Sequence, residues 1–147
     1  MLVPATPWHV FAVLTDAQSW PAWYWGVTRA VWLSPPPHGV GSERQVHLGP
    51  LRTREHYLVW EPGVRLAFAI TAANLPGLRA MVEDFHLAGS AAGPTRVRYR
   101  MAFALADPMR PFGGIAQRLA GRIVRQSLRG LRRYVAQAPR GTRTGQG

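Results

Sequence analysis

The segment GSERQVHLGPLRTREHYLV, Gly41–Val59, constrains this chain more than any other. Gly49-Pro50 is a turn signal between strand-forming residues, so the segment folds into a β-hairpin about it. With Leu48 opposite Leu51, Val46 meets Thr53 and Arg44 meets Glu55. Successive strand residues point to opposite faces. One face then carries Arg44, Val46, Leu48, Leu51, Thr53, Glu55, Tyr57 and Val59, and the other Glu43, Gln45, His47, Arg52, Arg54 and His56. The first face is mostly apolar, yet it sets a cation directly across from an anion. Such a pair either locks strand register or forms the polar end of a ligand pocket.

The rest of the chain supplies a frame for this hairpin. At 147 residues it is long enough for one domain with a real core, expected over 1–138 and followed by a polar, Gly-rich tail at 139–147. Thr6-Pro7 is an N-cap with Pro at the first helical position, and Trp8, Val10, Phe11, Val13 and Leu14 give a short helix. Ser19-Trp20-Pro21 opens a second short turn, in which Trp20, Trp23 and Trp25 close one end of the structure. Val27–Leu33 reads as a strand ended by a run of prolines. After the hairpin, Glu61-Pro62-Gly63 is a turn and Val64–Thr71 a strand. Pairing Val59 with Leu66 places Tyr57 opposite Phe68 and Glu55 opposite Ile70. Asn74–Arg79 is a loop, and Ala80–Leu87 a strand with Met81, Glu83, Phe85 and Leu87 on one side.

Thr95–Leu105 has the cleanest alternation: Thr95, Val97, Tyr99, Met101, Phe103 and Leu105 face one way, Arg96, Arg98 and Arg100 the other. Gly113–Ala138 is one long amphipathic helix. Ile115, Leu119, Ile123, Leu128, Leu131 and Val135 make its apolar stripe, with Arg118, Arg122, Arg125, Arg129, Arg132 and Arg133 opposite. The fold class is therefore α+β. A curved antiparallel sheet needs its inner face covered, and only the terminal helix is long enough to cover it.

Several function classes find no support. The absence of cysteine removes thiolate nucleophiles and Cys-based zinc sites. His47 and His56 share a face but stand about 13 Å apart at roughly 3.3 Å per residue, too far to hold one ion. There is no HExxH and no GxSxG, so neither a metal nor a cofactor is expected. No apolar run approaches the roughly 20 residues of a membrane span, and the start lacks a secretory pattern, so a cytoplasmic protein is expected. The net charge of +11 invites a nucleic-acid reading. All 18 basic residues are Arg, however, the mark of a GC-rich genome, and they are spread along the chain. Nucleic acid is accordingly the weakest of the partners considered.

The order of elements, with specific residues, resembles the SRPBCC superfamily of START-like lipid-transfer domains, aromatic polyketide cyclases and helix-grip plant ligand receptors. The matching pieces are PATPWHVFAVLTDAQSWPAW, GVGS before the hairpin, REHYLVWEPGVRLAF, GPTRVRYRMAF and the final helix, together about residues 3–136. The resemblance implies a seven-stranded sheet gripping the C-terminal helix around a hydrophobic cavity. Members begin with a full strand that pairs with the one matching Thr95–Leu105; this chain has only Met1–Val3, a truncated N-terminal strand that leaves an edge open to homodimer formation. The resemblance also turns Glu55 and Arg44 toward the cavity and makes Leu48–Leu51 and Asn74–Arg79 its rim.

The expected function is binding of a hydrophobic small molecule, such as a lipid, isoprenoid or polyketide-like compound. The expected lining is Arg44, Val46, Leu48, Thr53, Glu55, Tyr57, Phe68, Ile70, Phe85, Tyr99 and Met101 from the sheet, and Leu119 and Ile123 from the helix. The alternative is a polyketide cyclase/dehydrase-type enzyme in which Arg44, Glu55, Glu83, Tyr57 or Tyr99 assists enolisation or water loss. Against these stand plainer readings: Arg44–Glu55 as a register lock, Glu83 at a strand end in water, the aromatics as core. Arg118, Arg122, Arg125 and Arg129 form a solvated stripe that can also meet an anionic membrane surface.

Overall fold

A computed structural model describes residues 1–137 of the chain. The expected tail at 139–147, and the last residue of the expected 1–138 domain, lie outside the described residues. In chain order the elements are β1 (Leu2–Val3), α1 (Pro7–Thr15), a 3-10 turn at Ala17–Ser19, α2 (Trp20–Trp23), β2 (Val27–Trp32), β3 (Glu43–Leu48), β4 (Leu51–Glu61), β5 (Arg65–Ala73), β6 (Leu78–Ala88), β7 (Thr95–Leu105), a 3-10 segment Asp107–Phe112, and α3 (Gly113–Gln137). The seven strands form one antiparallel sheet in the order β1-β7-β6-β5-β4-β3-β2. This is the expected α+β helix-grip architecture, with α3 on the concave face.

The β3–β4 hairpin has the register its sequence predicts: Leu48 pairs with Leu51, Val46 with Thr53 and Arg44 with Glu55. Its two-residue turn needs a positive φ at its first position, and Gly49 supplies 58°. Pro50 cannot follow with a second positive φ, which excludes type I′ and leaves the type II′ geometry that matches strand twist. The next pairing departs from expectation. Glu55 faces Ile70 and Tyr57 faces Phe68, but a bulge at Leu58 then pairs Val59 with Ala67 and Trp60 with Leu66. The extra residue turns Trp60 rather than Val59 inward. There its ring meets Phe11 edge-on at 5.6 Å and Tyr57 at 5.3 Å.

The N-terminal helices are pinned by local polar bonds. Thr6 caps α1 by accepting from the His9 amide at 3.3 Å. Ser19 Oγ donates to Val13 O and accepts from Trp23 Nε1. Trp20 Nε1 donates to Leu14 O at 2.9 Å. Trp20 and Trp23 are thereby buried, whereas Trp25 turns outward, beneath the Arg122 guanidinium.

Helix α3 is not uniformly packed. Ser127, Gly130, Leu131 and Val135 are buried, but Ile115 and Leu119, expected on the same stripe, are 67% and 52% exposed. The sheet withdraws from the first turns of the helix and leaves a space there. At the other edge of the grip, β1 covers only the start of β7: Leu2 and Val3 pair with Arg96 and Thr95, and Val97 donates its amide to Met1 O. From Arg98 onward that edge carries no strand among the described residues. The closest approach in the packed half is at Gly130, where a Cβ would stand 2.0 Å from Trp23 O. Neither backbone can yield without moving α2, so Gly130→Ala is expected to destabilise the fold by about 1–3 kcal/mol, read as a lowered melting temperature.

Candidate functional site

The inner face of the sheet is divided along the strands into a filled half and an empty one. In the filled half, Tyr57, Phe68, Phe85 and Tyr99 form an aromatic band across four adjacent strands, with successive ring centroids 5.1, 6.4 and 4.1 Å apart. Trp20 of α2 stacks on Tyr24 at 4.8 Å and meets Phe68 at 6.2 Å. Beyond this band lies a cavity of about 270 Å³. Its walls are Val46 and Leu48 of β3, Leu51 and Thr53 of β4, Ile70, Leu78 and Met81, Met101, Phe103 and Leu105 of β7, and Ala116, Leu119, Ala120 and Ile123 of α3. Leu75 stands at the mouth. Trp20, Tyr24, Val27, Glu55 and Glu83 close the inner end.

Arg44 is fully buried behind that end. Its Nε donates to Glu55 Oε2 at 2.7 Å and its Nη1 reaches Leu14 O at 3.4 Å. Leu14 lies in the last turn of α1, where free carbonyls and the negative end of the helix dipole favour a cation. The guanidinium also lies 3.7 Å from the Trp20 ring centroid, a cation–π contact strengthened by the absence of water. Glu55 is 2% exposed, and its Oε2 accepts a second bond from Tyr57 Oη at 3.3 Å. Burial lifts its pKa above the ordinary carboxylate value, against the pull of Arg44.

Glu83 sits in the middle of β6 and is 5% exposed, not at a strand end in water. Its Oε2 accepts from Tyr99 Oη at 2.5 Å and Tyr24 Oη at 3.2 Å, and the two hydroxyls stand 2.6 Å apart. Burial, and then the negative charge of Glu55, push its pKa from 4.5 to about 7, with the two phenols and Arg44 pulling the other way. Burial also holds the phenols of Tyr24, Tyr57 and Tyr99 well above their usual 10.0, so they stay protonated. A carboxyl that titrates near neutrality on a water-poor wall can take or release a proton there.

Of the expected lining, Val46, Leu48, Thr53, Glu55, Ile70, Met101, Leu119 and Ile123 border the cavity. Arg44, Tyr57, Phe68, Phe85 and Tyr99 do not. The four aromatics fill the packed half, and Arg44 bends toward α1 under Trp20. Sequence reasoning missed Tyr24 on the floor, and Met81, Phe103, Leu105, Ala116 and Ala120 on the walls. The signal for Tyr24 was available: it lies four residues after Trp20, so a helical turn puts the two on one face.

A curved sheet around one long helix, with a hollow between and carboxyls at its inner end, defines a helix-grip ligand-binding domain of the START-like SRPBCC superfamily. The chain belongs to the polyketide cyclase / dehydrase and lipid transport family, which it matches over residues 1–136. It is 36% identical over 130 residues to the uncharacterized protein Rv2574 of Mycobacterium tuberculosis, across 88% of this chain and 77% of that one. Among solved structures, a START superfamily protein from Mycobacterium smegmatis superposes with a TM-score of 0.79 at 13% identity, covering 93% of this chain and 94% of the other. The di-domain ARO/CYC protein BexL of the BE-7585A biosynthetic pathway gives 0.72 at 17% identity, over 92% of this chain and 44% of its own. At these identities the likeness is one of fold.

Two outcomes follow from the buried charges. Arg44→Met strands Glu55 and is expected to cost about 3–5 kcal/mol in denaturant unfolding, whereas Arg44→Met with Glu55→Leu recovers most of that loss. Because the folded pKa of Glu83 lies above its unfolded value, its proton stabilises the fold fully below 4.5, and that contribution disappears as pH rises through about 7. The decline is up to about 3 kcal/mol, and Glu83→Gln should flatten it in melts taken across this range.

Proposed function

We propose that this protein binds a hydrophobic small molecule of lipid, isoprenoid or polyketide-like character, with its apolar body in the cavity and its polar end against Glu55, Glu83 and Tyr24. The supporting observation is the cavity itself: walls of Val, Leu, Ile, Met, Phe and Ala side chains that end on a small polar floor. Removing ligand surface from water supplies affinity at about 25 cal/mol per Å2, and the floor supplies orientation.

The neutral-range pKa of Glu83 supports a second reading, cyclase/dehydrase-type chemistry. In it the Glu83 carboxylate removes a proton from the carbon beside a bound carbonyl and returns it to a departing hydroxyl, which leaves as water. Tyr24 and Tyr99 hold the carboxyl in place. Proximity within the cavity carries much of such a rate. Delivery from an anionic bilayer fits both readings: Arg118, Arg122, Arg125 and Arg129 are all exposed on α3, beside the half-exposed Leu119 at the mouth.

Native mass spectrometry of the purified protein is expected to retain an apolar organic ligand, and a polarity-sensitive fluorophore should bind and quench Trp20. Leu119→Arg, at the mouth, should weaken the fluorophore at least about tenfold with little change in melting temperature, because that side chain is half in water. A protein that takes up no apolar probe refutes the binding reading. Turnover of a ketide substrate that Glu83→Gln abolishes would establish the enzymatic one.

A further inference from the structure

The floor of the cavity is one-sided in its hydrogen bonding. Apart from the proton that Glu83 itself can carry, each donor on it is already engaged within the protein. Tyr24 has its hydroxyl between Tyr99 Oη and Glu83, Thr53 Oγ1 donates to Val46 O at 3.4 Å, and Trp20 Nε1 donates to Leu14 O. Behind the floor, Tyr99 Oη donates to Glu83. What remains is accepting capacity. Among the described residues Glu55 Oε1 has no hydrogen-bond partner, and its residue lies on the cavity wall although nearly buried. Glu83 Oε1 has only Tyr24 Oη, at 3.5 Å. Two buried polar atoms are left without a partner among the described residues: Arg44 Nη2, sealed behind Trp20, and His47 Nε2; neither residue borders the cavity.

The charges point the same way. The floor carries two carboxyls against one guanidinium, and the guanidinium is spent on Glu55. The remaining groups packed around them, the phenols of Tyr24, Tyr57 and Tyr99, are neutral donors. With both carboxyls ionised the cluster lacks one cation, and burial makes that deficit costly; in the empty cavity a proton on Glu83 offsets it, and a ligand cation can take that proton's place. The two carboxyl-bearing strands are separated by β5, so their backbones lie roughly 10 Å apart at two strand spacings, with Ile70 opposite Glu55 and Phe68 opposite Glu83 between them.

We infer that the cavity selects an apolar ligand whose polar end donates hydrogen bonds, a protonated aliphatic amine above all, and rejects the same chain ended by a carboxylate. This rests on the binding function proposed above and adds the chemistry of the head group. A ligand ammonium supplies the missing cation and carries three donors for the open oxygens of the floor. A hydroxyl donates once. A carboxylate brings only acceptors and a third negative charge. The net charge of +11 favours anions at long range, so a preference for the amine has to originate at the floor.

The test compares decylamine, decanol and decanoate at neutral pH and physiological ionic strength, each below its micelle concentration, by displacement of the bound fluorophore. The expected order is amine, alcohol, carboxylate, with decylamine at least about tenfold tighter than decanoate. Glu83→Gln, which keeps the shape and an acceptor but not the charge, should cut the amine's affinity about tenfold and the alcohol's by less, so that the amine-to-alcohol ratio falls. Decanoate binding as tightly as decylamine overturns the inference, as does an amine-to-alcohol ratio unchanged in Glu83→Gln. Equal binding of all three sinks the head-group selection while leaving the cavity function standing; no binding by any removes both. The ratio in the unaltered protein decides the matter even if the variant folds poorly.

Discussion

The structure turns on a guanidinium placed where water does not reach. Arg44 is tolerated there because three things meet it at once: the Glu55 carboxylate, a carbonyl at the end of α1, and the face of Trp20. Each comes from a different part of the chain. The pair therefore ties β3 to β4, and both to the N-terminal helices. It also fixes one oxygen of Glu55 and leaves the other open to the hollow. Glu55 in turn helps hold the proton on Glu83. A contact that could be taken for a register lock thus sets the electrostatics of the cavity floor, through a guanidinium that does not itself border the cavity.

The division of the grip follows from side-chain size along each strand. Toward the β1 end of β7 and the turn-distal ends of β4 and β6, aromatic residues meet α2 and the close approach of Gly130, and space is filled. Toward the hairpin tip the inward strand residues become Val, Leu, Ile, Met and Thr, with Phe103 of β7 among them, and the facing helix offers Ala116 and Ala120. Small side chains across a curved sheet do not reach one another, and the hollow is what they leave.

Much of this was readable before any coordinates. The turn at Gly49-Pro50 set the hairpin register to the residue, alternation sorted its two faces, and the arginine ladder on β7 identified its wet face. Alternation reports which face a residue occupies but not how deep along the strand it lies. That is why Tyr57, Phe68, Phe85 and Tyr99 were expected on the cavity wall rather than beneath it. The bulge at Leu58 left no local mark, since Val59 and Trp60 both suit an inward position and only packing against Phe11 chooses between them. The direction of Arg44 depended on α1, distant in sequence, and Tyr24 was overshadowed by the tryptophans around it.

The unequal packing of α3 has a thermodynamic meaning. Its last turns are held by the protein's own core, whereas its first turns face a void. A guest of the kind proposed above would complete the helix interface there, so its occupancy and the protein's folding would share one equilibrium.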